Sequence, residues 1–306
     1  MVKYVINRLI ISFFTVLVLV TVVFVLVRLL PGDPFTSEKV IPEIRQNMMR
    51  YYGFDKPLPV QYLIYIKNLL KGDLGTSLKY NNRTVRSIIA ETFPYSADLG
   101  IRAILFATVM GIFLGITSSL HRGRFLDYFC IIIAIIGVSV PDFIMGSLLQ
   151  YIFGVKFKLL PVAQWKGFRY TILPVFALSL YTLALITRIM RASMLDVMHQ
   201  DYIMTAEAKG LSTFQIVWRH QIRNAILPVV TILGPITAAV LTGTFVIEWI
   251  YAIPGMGKFY VLGIQNLDYS MILGMTVFYG VFLIAANFIV DILYGLIDPR
   301  IRIIGK

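Results

Sequence analysis

Six acidic or basic side chains lie from Asp201 to Arg223: Asp201, Glu207, Lys209, Arg219, His220 and Arg223. They offer no nucleophile–base constellation. The chain's three histidines, His121, His199 and His220, are too far apart for a metal-ligand set. What remains is a charged contact surface. Long apolar segments flank it on both sides, so it is a polar segment between two membrane spans. Its local signals are those of a rigid piece. Tyr202 to Lys209 holds good helix formers with neither Gly nor Pro, and Gly210 then stops the helix as a C′ residue does. After Leu211, Ser212 or Thr213 can cap a second helix. In that helix Phe214, Val217, Trp218 and Ile222 fall near helical spacing, with Gln215, Arg219 and Arg223 on the other side. Pro228 sits where the next span begins. Two helices joined by a glycine turn transmit force from a partner, which a slack loop does not. The plainer alternative is an ordinary amphipathic loop.

Polar groups inside spans are costly, so each needs a reason. Ser139, Pro141 and Asp142 interrupt an apolar run. Pro141 removes an intrahelical hydrogen bond and kinks the helix, and a kink beside a carboxylate suits a water-filled pathway. The alternative is that Asp142 satisfies a neighbouring helix. Glu248, near the outer end of a later span, either faces an outer vestibule or simply sits at the interface. Asn287 and Asp291 share a helix face and fasten the bundle. Gly111 and Gly115 allow close helix approach. Met190, Met194 and Met198 recur every four residues, which reads as adaptable packing rather than a metal site. The phosphate-cradling pattern G-x-x-x-x-G-K-[ST] is missing: Gly257-Lys258 is followed by Phe259, and the upstream position is Ala252. No catalytic residue, metal or cofactor is therefore assigned to this chain.

The elements that must position these groups follow from composition. The chain has 306 residues, 58% hydrophobic and only 14% charged. A soluble domain is about 25% charged, so the class is an all-α polytopic membrane protein. The net charge of +12 reflects Lys and Arg gathered on cytoplasmic loops rather than a nucleic-acid surface. A lone cysteine, Cys130, excludes an internal disulfide. Six spans emerge, at roughly 9–30, 98–119, 127–154, 172–192, 228–250 and 272–296. The first reads as an uncleaved span rather than a signal peptide. With both termini cytoplasmic, the inner segments hold twelve basic residues and the two short outer loops hold five: Lys156, Lys158, Lys166, Arg169 and Lys258. The 155–171 loop, with four of the five, is a local exception. Residues 1–306 form a single membrane domain. Within it, 31–97 is an extracytoplasmic helical loop, with helices near Val60–Lys71 and Val85–Thr92, and 196–226 is a cytoplasmic loop. The outer loop serves either as packing or as a platform for an external solute-binding protein.

The residues also carry a resemblance. Asp201-Tyr202, Thr205-Ala206, Ala208-Lys209-Gly210-Leu211 and Arg219-His220, with Arg223-Asn224-Ala225 and Pro228, resemble the ATPase-docking loop of ABC-importer permeases, in the form taken by the peptide and nickel branch. Met204 and Thr205 depart from the Glu-Ala pair of the wider family. Pro31-Gly32-Asp33-Pro34, Gly72-Asp73-Leu74-Gly75, Val140-Pro141-Asp142-Phe143, Thr242-Gly243, Ile253-Pro254-Gly255-Met256-Gly257 and Asp298-Pro299-Arg300 extend the likeness over nearly the whole chain. It is nearest to the B-type permease subunit of bacterial oligopeptide importers. The resemblance implies a type I importer fold in the bacterial cytoplasmic membrane, forming half of a translocation pathway. It implies a second homologous permease subunit, two ATPase subunits carrying ATP and Mg, an external peptide-binding lipoprotein, and an oligopeptide substrate. Asp201, Ala206, Lys209, Gly210, Leu211, Arg219, His220 and Arg223 would dock the ATPase, with Pro141, Asp142 and Glu248 as pathway candidates. A nickel, metal-chelate or dipeptide importer has the same architecture. A more distant alternative is an ion-coupled transporter using Asp142 or Asp291.

Overall fold

The computed structural model describes residues 2–30, 49, 53, 55–80, 83–242 and 245–297. The Pro31–Pro34 motif, Gly243, the Asp298–Arg302 ending and the side chain of Asp291 lie outside the described residues. The chain is an all-helical polytopic membrane protein. Among the described residues, four helices are long and apolar enough to cross a bilayer, or up to six spans if each of two bent helix pairs counts as one. The chain divides into two compact units, Met1–Pro94 with Gly255–Lys306, and Tyr95–Pro254.

The first unit contains α1 (Val2–Leu29), α2 (Leu58–Leu70), the start of α3 (Val85–Leu120), α12 (Met256–Gln265) and α13 (Tyr269–Ile297). Its helices α1 and α13 meet where Gly280 faces Leu19, so closely that no Cβ fits there. Phe24 of α1 packs edge-on against Tyr62 of α2, whose hydroxyl lies 2.6 Å from the Thr21 hydroxyl. The expected helix at Val60–Lys71 is thus α2, and it lies on α1. Asp268, which sequence reading passed over, organises the following loop. It is 1% exposed. Its carboxylate accepts from the Ser77 hydroxyl, from Leu78 N at 3.1 Å, and from Met271 N at the start of α13 at 3.1 Å. Burial and this carboxylate push the Tyr80 phenol above its ordinary pKa, against the opposing Arg83 guanidinium.

The second unit is built around α6 (Phe168–Met198). Two-thirds of its most apolar window, 67%, is buried within the chain, against 22% for α1. So α6 is a core helix, while α1 turns most of its surface, Phe13, Phe14 and Val18 included, outward. Around α6 stand α3, α4 (Phe125–Ser139) and α5 (Asp142–Leu149), which runs on as a π-helical turn to Lys156. After α6 come α7 (Asp201–Ala208), α8 (Thr213–Ile216), a π-helical turn at Val217–Gln221, α9 (Ile222–Ala225), α10 (Leu227–Thr242) and α11 (Phe245–Ile250).

Glycines set the helix contacts on α6. A Cβ at Gly111 would lie 2.8 Å from Ile186 Cβ, and one at Gly115 would lie 2.6 Å from Met190 Cβ. The expected Gly111/Gly115 contact therefore has its partner in α6. Gly115→Val is expected to lower unfolding stability by about 2 kcal/mol, since inserted methyl groups in a packed core force neighbours apart. The check is the thermal midpoint of the purified protein beside Gly123→Ala. Gly123 has open space around it, so that change carries only the strain of its φ of +74°.

The third expected span is where the structure departs most. Its halves, 125–139 and 142–156, turn by 109° rather than by a modest kink. Val140 is extended, at φ −97° and ψ 120°, as the residue before a proline prefers, and Pro141 then starts a new helix as its N-cap. A Pro inside a helix costs one hydrogen bond. A Pro preceded by an extended residue ends one helix and begins another. The described residues of the fifth expected span, 228–250, lie in α10 and α11, and α10 is bent by 48° against the 213–225 segment before it.

Candidate functional site

The segment from Asp201 to Ala225 is held by a chain of local devices. Helix α7 ends at Ala208 with Lys209 as its C-cap, and Gly210 follows at φ +74°. Gly210 N donates to the Glu207 carbonyl at 2.9 Å and Leu211 N donates to the Ala206 carbonyl at 3.3 Å. Those two bonds form a Schellman turn, which needs the left-handed residue that glycine supplies. Leu211 folds back onto the buried trio Ile203, Ala206 and Ile216, completing the turn's apolar contact. Ser212 then opens α8 with a capping box: its hydroxyl accepts from Gln215 N, and its own N donates to Gln215 Oε1 at 3.1 Å. Tyr202 of α7 accepts from Asn224 Nδ2 of α9 at 3.1 Å, clasping the two arms together. The expected helix–turn–helix is present, and Ser212 rather than Thr213 caps it.

The second arm differs from a plain amphipathic helix. Its π-helical turn at Val217–Gln221 inserts one extra residue in the period. The buried positions become Ile216, Gln221 and Ala225, at spacings of five and four. Phe214 and Trp218, which regular spacing assigns to the apolar face, are instead 74% and 65% exposed. Their rings stack almost parallel, 4° apart in plane, with centroids at 6.4 Å. Beside them Arg219 and Arg223 are exposed and His220 is half-buried. Asp201 at the start of α7 and Lys209 and Gly210 on the turn are exposed, and Leu211 is half-buried. Ala206 is only 4% exposed and supports the turn from beneath. The surface on offer is thus an aromatic pair with arginines beside it and a glycine turn.

This surface is anchored to the membrane core. Met190 and Met194, fully buried in α6, pack with Ala225 and Val229 of the second arm and α10. Met198 is half-buried at the end of the same face. One buried ion pair, missed in the sequence reading, braces α6 from the other side. Asp127 accepts from Arg191 Nε at 2.8 Å and Nη2 at 2.9 Å, from Gly123 N at 2.9 Å, and from the Ser118 hydroxyl. Arg191 is one turn from Met194 on the helix that carries the methionines. The signal was present: a carboxylate at the start of an apolar helix must find a cation or a set of donors.

Pro141 and Asp142 line a groove of about 400 Å³ in the second unit, with Ser139, Tyr181, Thr182 and Val240 among its walls. Asp142 is half-buried and accepts from Phe143 N at 2.8 Å at the head of α5. Glu248 does not share that groove. It is 1% exposed inside α11, so it faces no open vestibule within this unit. The structure therefore places two of the three pathway candidates together and sets the third apart.

Residues 107–303 match the binding-protein-dependent transport system inner membrane component, and residues 1–100 match the N-terminal component of the same systems. The chain belongs to this family of inner-membrane transport components. The permease is 45% identical over 307 residues to a dipeptide transport system permease protein of Bacillus subtilis, with 100% of each chain covered. It is 43% identical to an oligopeptide transport system permease protein of Haemophilus influenzae, covering 99% of this chain and 100% of that one. The permease's fold is similar to a chain of an amino acid ABC transporter crystal structure, at a TM-score of 0.54 and 14% identity over 68% of this chain and 93% of that one. A chain of an inward-facing methionine ABC transporter matches with a TM-score of 0.52 and 15% identity, over 67% and 95% of the two chains. At such identities the likeness is one of fold, and the fold is that of an ABC-importer permease.

Proposed function

We propose that this permease forms half of the translocation pathway of an ATP-driven importer of short peptides. The reading takes the chain as six spans with both termini cytoplasmic, in a type I importer arrangement. It pairs with a second, homologous permease subunit and with two ATPase subunits that bind ATP and Mg. An extracytoplasmic peptide-binding lipoprotein delivers the oligopeptide. The 201–223 segment docks on an ATPase, and its movement tilts the spans between inward-open and outward-open states. Coupling needs only that the docked segment contacts the ATPase differently in the two states.

The observation that carries the reading is the exposed Phe214/Trp218 pair and the Gly210 turn, set on a rigid support continuous with α6 and α10. Full-length identity of 40–45% to dipeptide and oligopeptide permeases supports the cargo class. Dipeptides are a second reading of the cargo, favoured by the Bacillus subtilis relative.

The test is uptake of labelled di- and tetrapeptides into cells deleted for the chain, with and without the chain restored. Uptake is expected to return only with the chain, and to vanish when ATP is depleted while the proton gradient is held. Uptake that persists without ATP and follows the proton gradient would remove the ATP-driven reading. Restored nickel accumulation without peptide uptake would change the cargo.

A further inference from the structure

The basic stretch from Lys156 to Arg169, running from the end of the π-helical turn into the start of α6, has no part in the transport reading. Lys156, Lys158, Lys166 and Arg169 are all exposed. From Phe143 to Leu195 the sequence contains neither Asp nor Glu, so nothing along this stretch balances their charge. Among the described residues none of the four forms an ion pair, and Arg169 donates to the Leu159 carbonyl at 3.0 Å. Large apolar side chains alternate with the cations: Tyr151, Phe157, Leu159 and Phe168 are each more than half exposed. The Lys156 ammonium sits 5.8 Å from the centre of the Phe157 ring. Exposed aromatics interleaved with long basic side chains are what the headgroup layer of a membrane accommodates. The rings enter the acyl boundary and the ammonium groups reach the phosphates.

Phe168 also opens a groove. With Thr171 and Phe176 of α6 and Arg102, Leu105 and Phe106 of α3, it lines a cleft of about 350 Å³. The walls are almost wholly apolar. The one charged wall residue, Arg102, is already paired with Asp98, its Nε lying 2.9 Å from each carboxylate oxygen. The cleft therefore suits a chain of methylenes, while the uncompensated charge lies on the neighbouring residues Lys166 and Arg169.

We propose that this cleft seats an acyl chain of an anionic phospholipid whose headgroup phosphate is held by Lys166 and Arg169. The charge selects the occupant. A zwitterionic lipid brings its own ammonium and gains less from four unbalanced cations, whereas an anionic headgroup such as phosphatidylglycerol supplies the missing negative charge. With the orientation proposed above, the lipid belongs to the outer leaflet. The 155–171 exception to the charge rule is then a lipid site and not an error of topology.

The experiment uses the complete transporter complex in nanodiscs of equimolar phosphatidylglycerol and phosphatidylcholine. The complex is extracted into mild detergent, and the retained lipids are counted by mass spectrometry. Phosphatidylglycerol is expected to be retained over phosphatidylcholine. Lys166→Gln, an exposed and structurally mild change, should lower its retention about fivefold, the value of one basic residue at an anionic surface. Thr171→Trp fills the cleft with every cation in place and should also release the lipid. Equal retention of the two lipids, or undiminished phosphatidylglycerol in the Lys166→Gln complex, would overturn the proposal. A photo-crosslinker at Phe168 gives an independent reading: labelled lipid supports the site, and labelling of a protein subunit instead overturns it.

Discussion

Gly210→Trp is expected to leave the permease inserted and assembled while peptide uptake falls at least about tenfold and ATP hydrolysis continues, a change equivalent to about 1.4 kcal/mol of lost coupling. The Schellman turn needs its left-handed residue at φ +74°, and any L side chain there is strained by about 1–2 kcal/mol. Space is not the obstacle, because a Cβ at Gly210 meets nothing within 4 Å. The indole therefore projects outward from the turn, into the surface proposed to receive the ATPase. The strain alone is small enough for the fold to bear. Gly210→Asn separates the two effects, since Asn tolerates the left-handed region and adds little bulk. It should keep most of the uptake that Gly210→Trp loses. Normal ATP-driven uptake by Gly210→Trp would end the docking role of this turn.

Asp127→Ala should produce the largest loss of stability. The Asp127 side chain is 3% exposed and that of Arg191 is 26% exposed. Removing the carboxylate strands the guanidinium and leaves Gly123 N and the Ser118 hydroxyl without their acceptor. Breaking a buried pair costs about 3–5 kcal/mol, and Arg191's partial contact with water puts the expectation near the lower figure. A chain of this size should then melt about 5–10 °C lower, read as loss of monodisperse protein on heating in detergent. Replacing both partners by apolar residues, Asp127→Leu with Arg191→Met, should recover much of the loss, because the charge is then no longer stranded. An unchanged midpoint for Asp127→Ala would show that the pair does not brace α6.

Helices bounded by strong local signals were legible. Gly210 ended α7 because only a left-handed residue closes that turn, and Ser212 or Thr213 marked the start of α8, although the capping box with Gln215 emerged only in the structure. The Gly111/Gly115 pair was legible because close helix approach demands the absence of a Cβ, but its partner in α6 was not. What failed was periodicity across a change of helical type. The π-helical turn at Val217–Gln221 shifts the register by one residue, and this puts Phe214 and Trp218 outside and Gln221 inside. No residue in that stretch signals a π turn. Pro141 signalled a break, but whether a proline bends a helix or separates two depends on how the preceding residue settles, and Val140 settled extended. Asp127 and Asp268 were overlooked for a shared reason. Each is a carboxylate at or just before a helix start with one decisive partner far away in sequence, Arg191 for Asp127 and Ser77 for Asp268. Glu248 read as facing an outer vestibule or sitting at the interface because it is near an apolar end, yet the fold buries it.

The most direct test of the account places a cysteine on the turn. Cys130, the chain's lone cysteine, is buried, so Cys130→Ala gives a clean background in which Lys209→Cys, on an exposed position, is a single reactive site. The assembled transporter in membranes is treated with a short thiol-to-amine crosslinker, once without nucleotide and once with ATP trapped by vanadate. A crosslink from residue 209 to an ATPase subunit is expected, with a yield or target that differs between the two states. A complex that imports peptide but gives no such crosslink in either state would contradict the docking role of the turn.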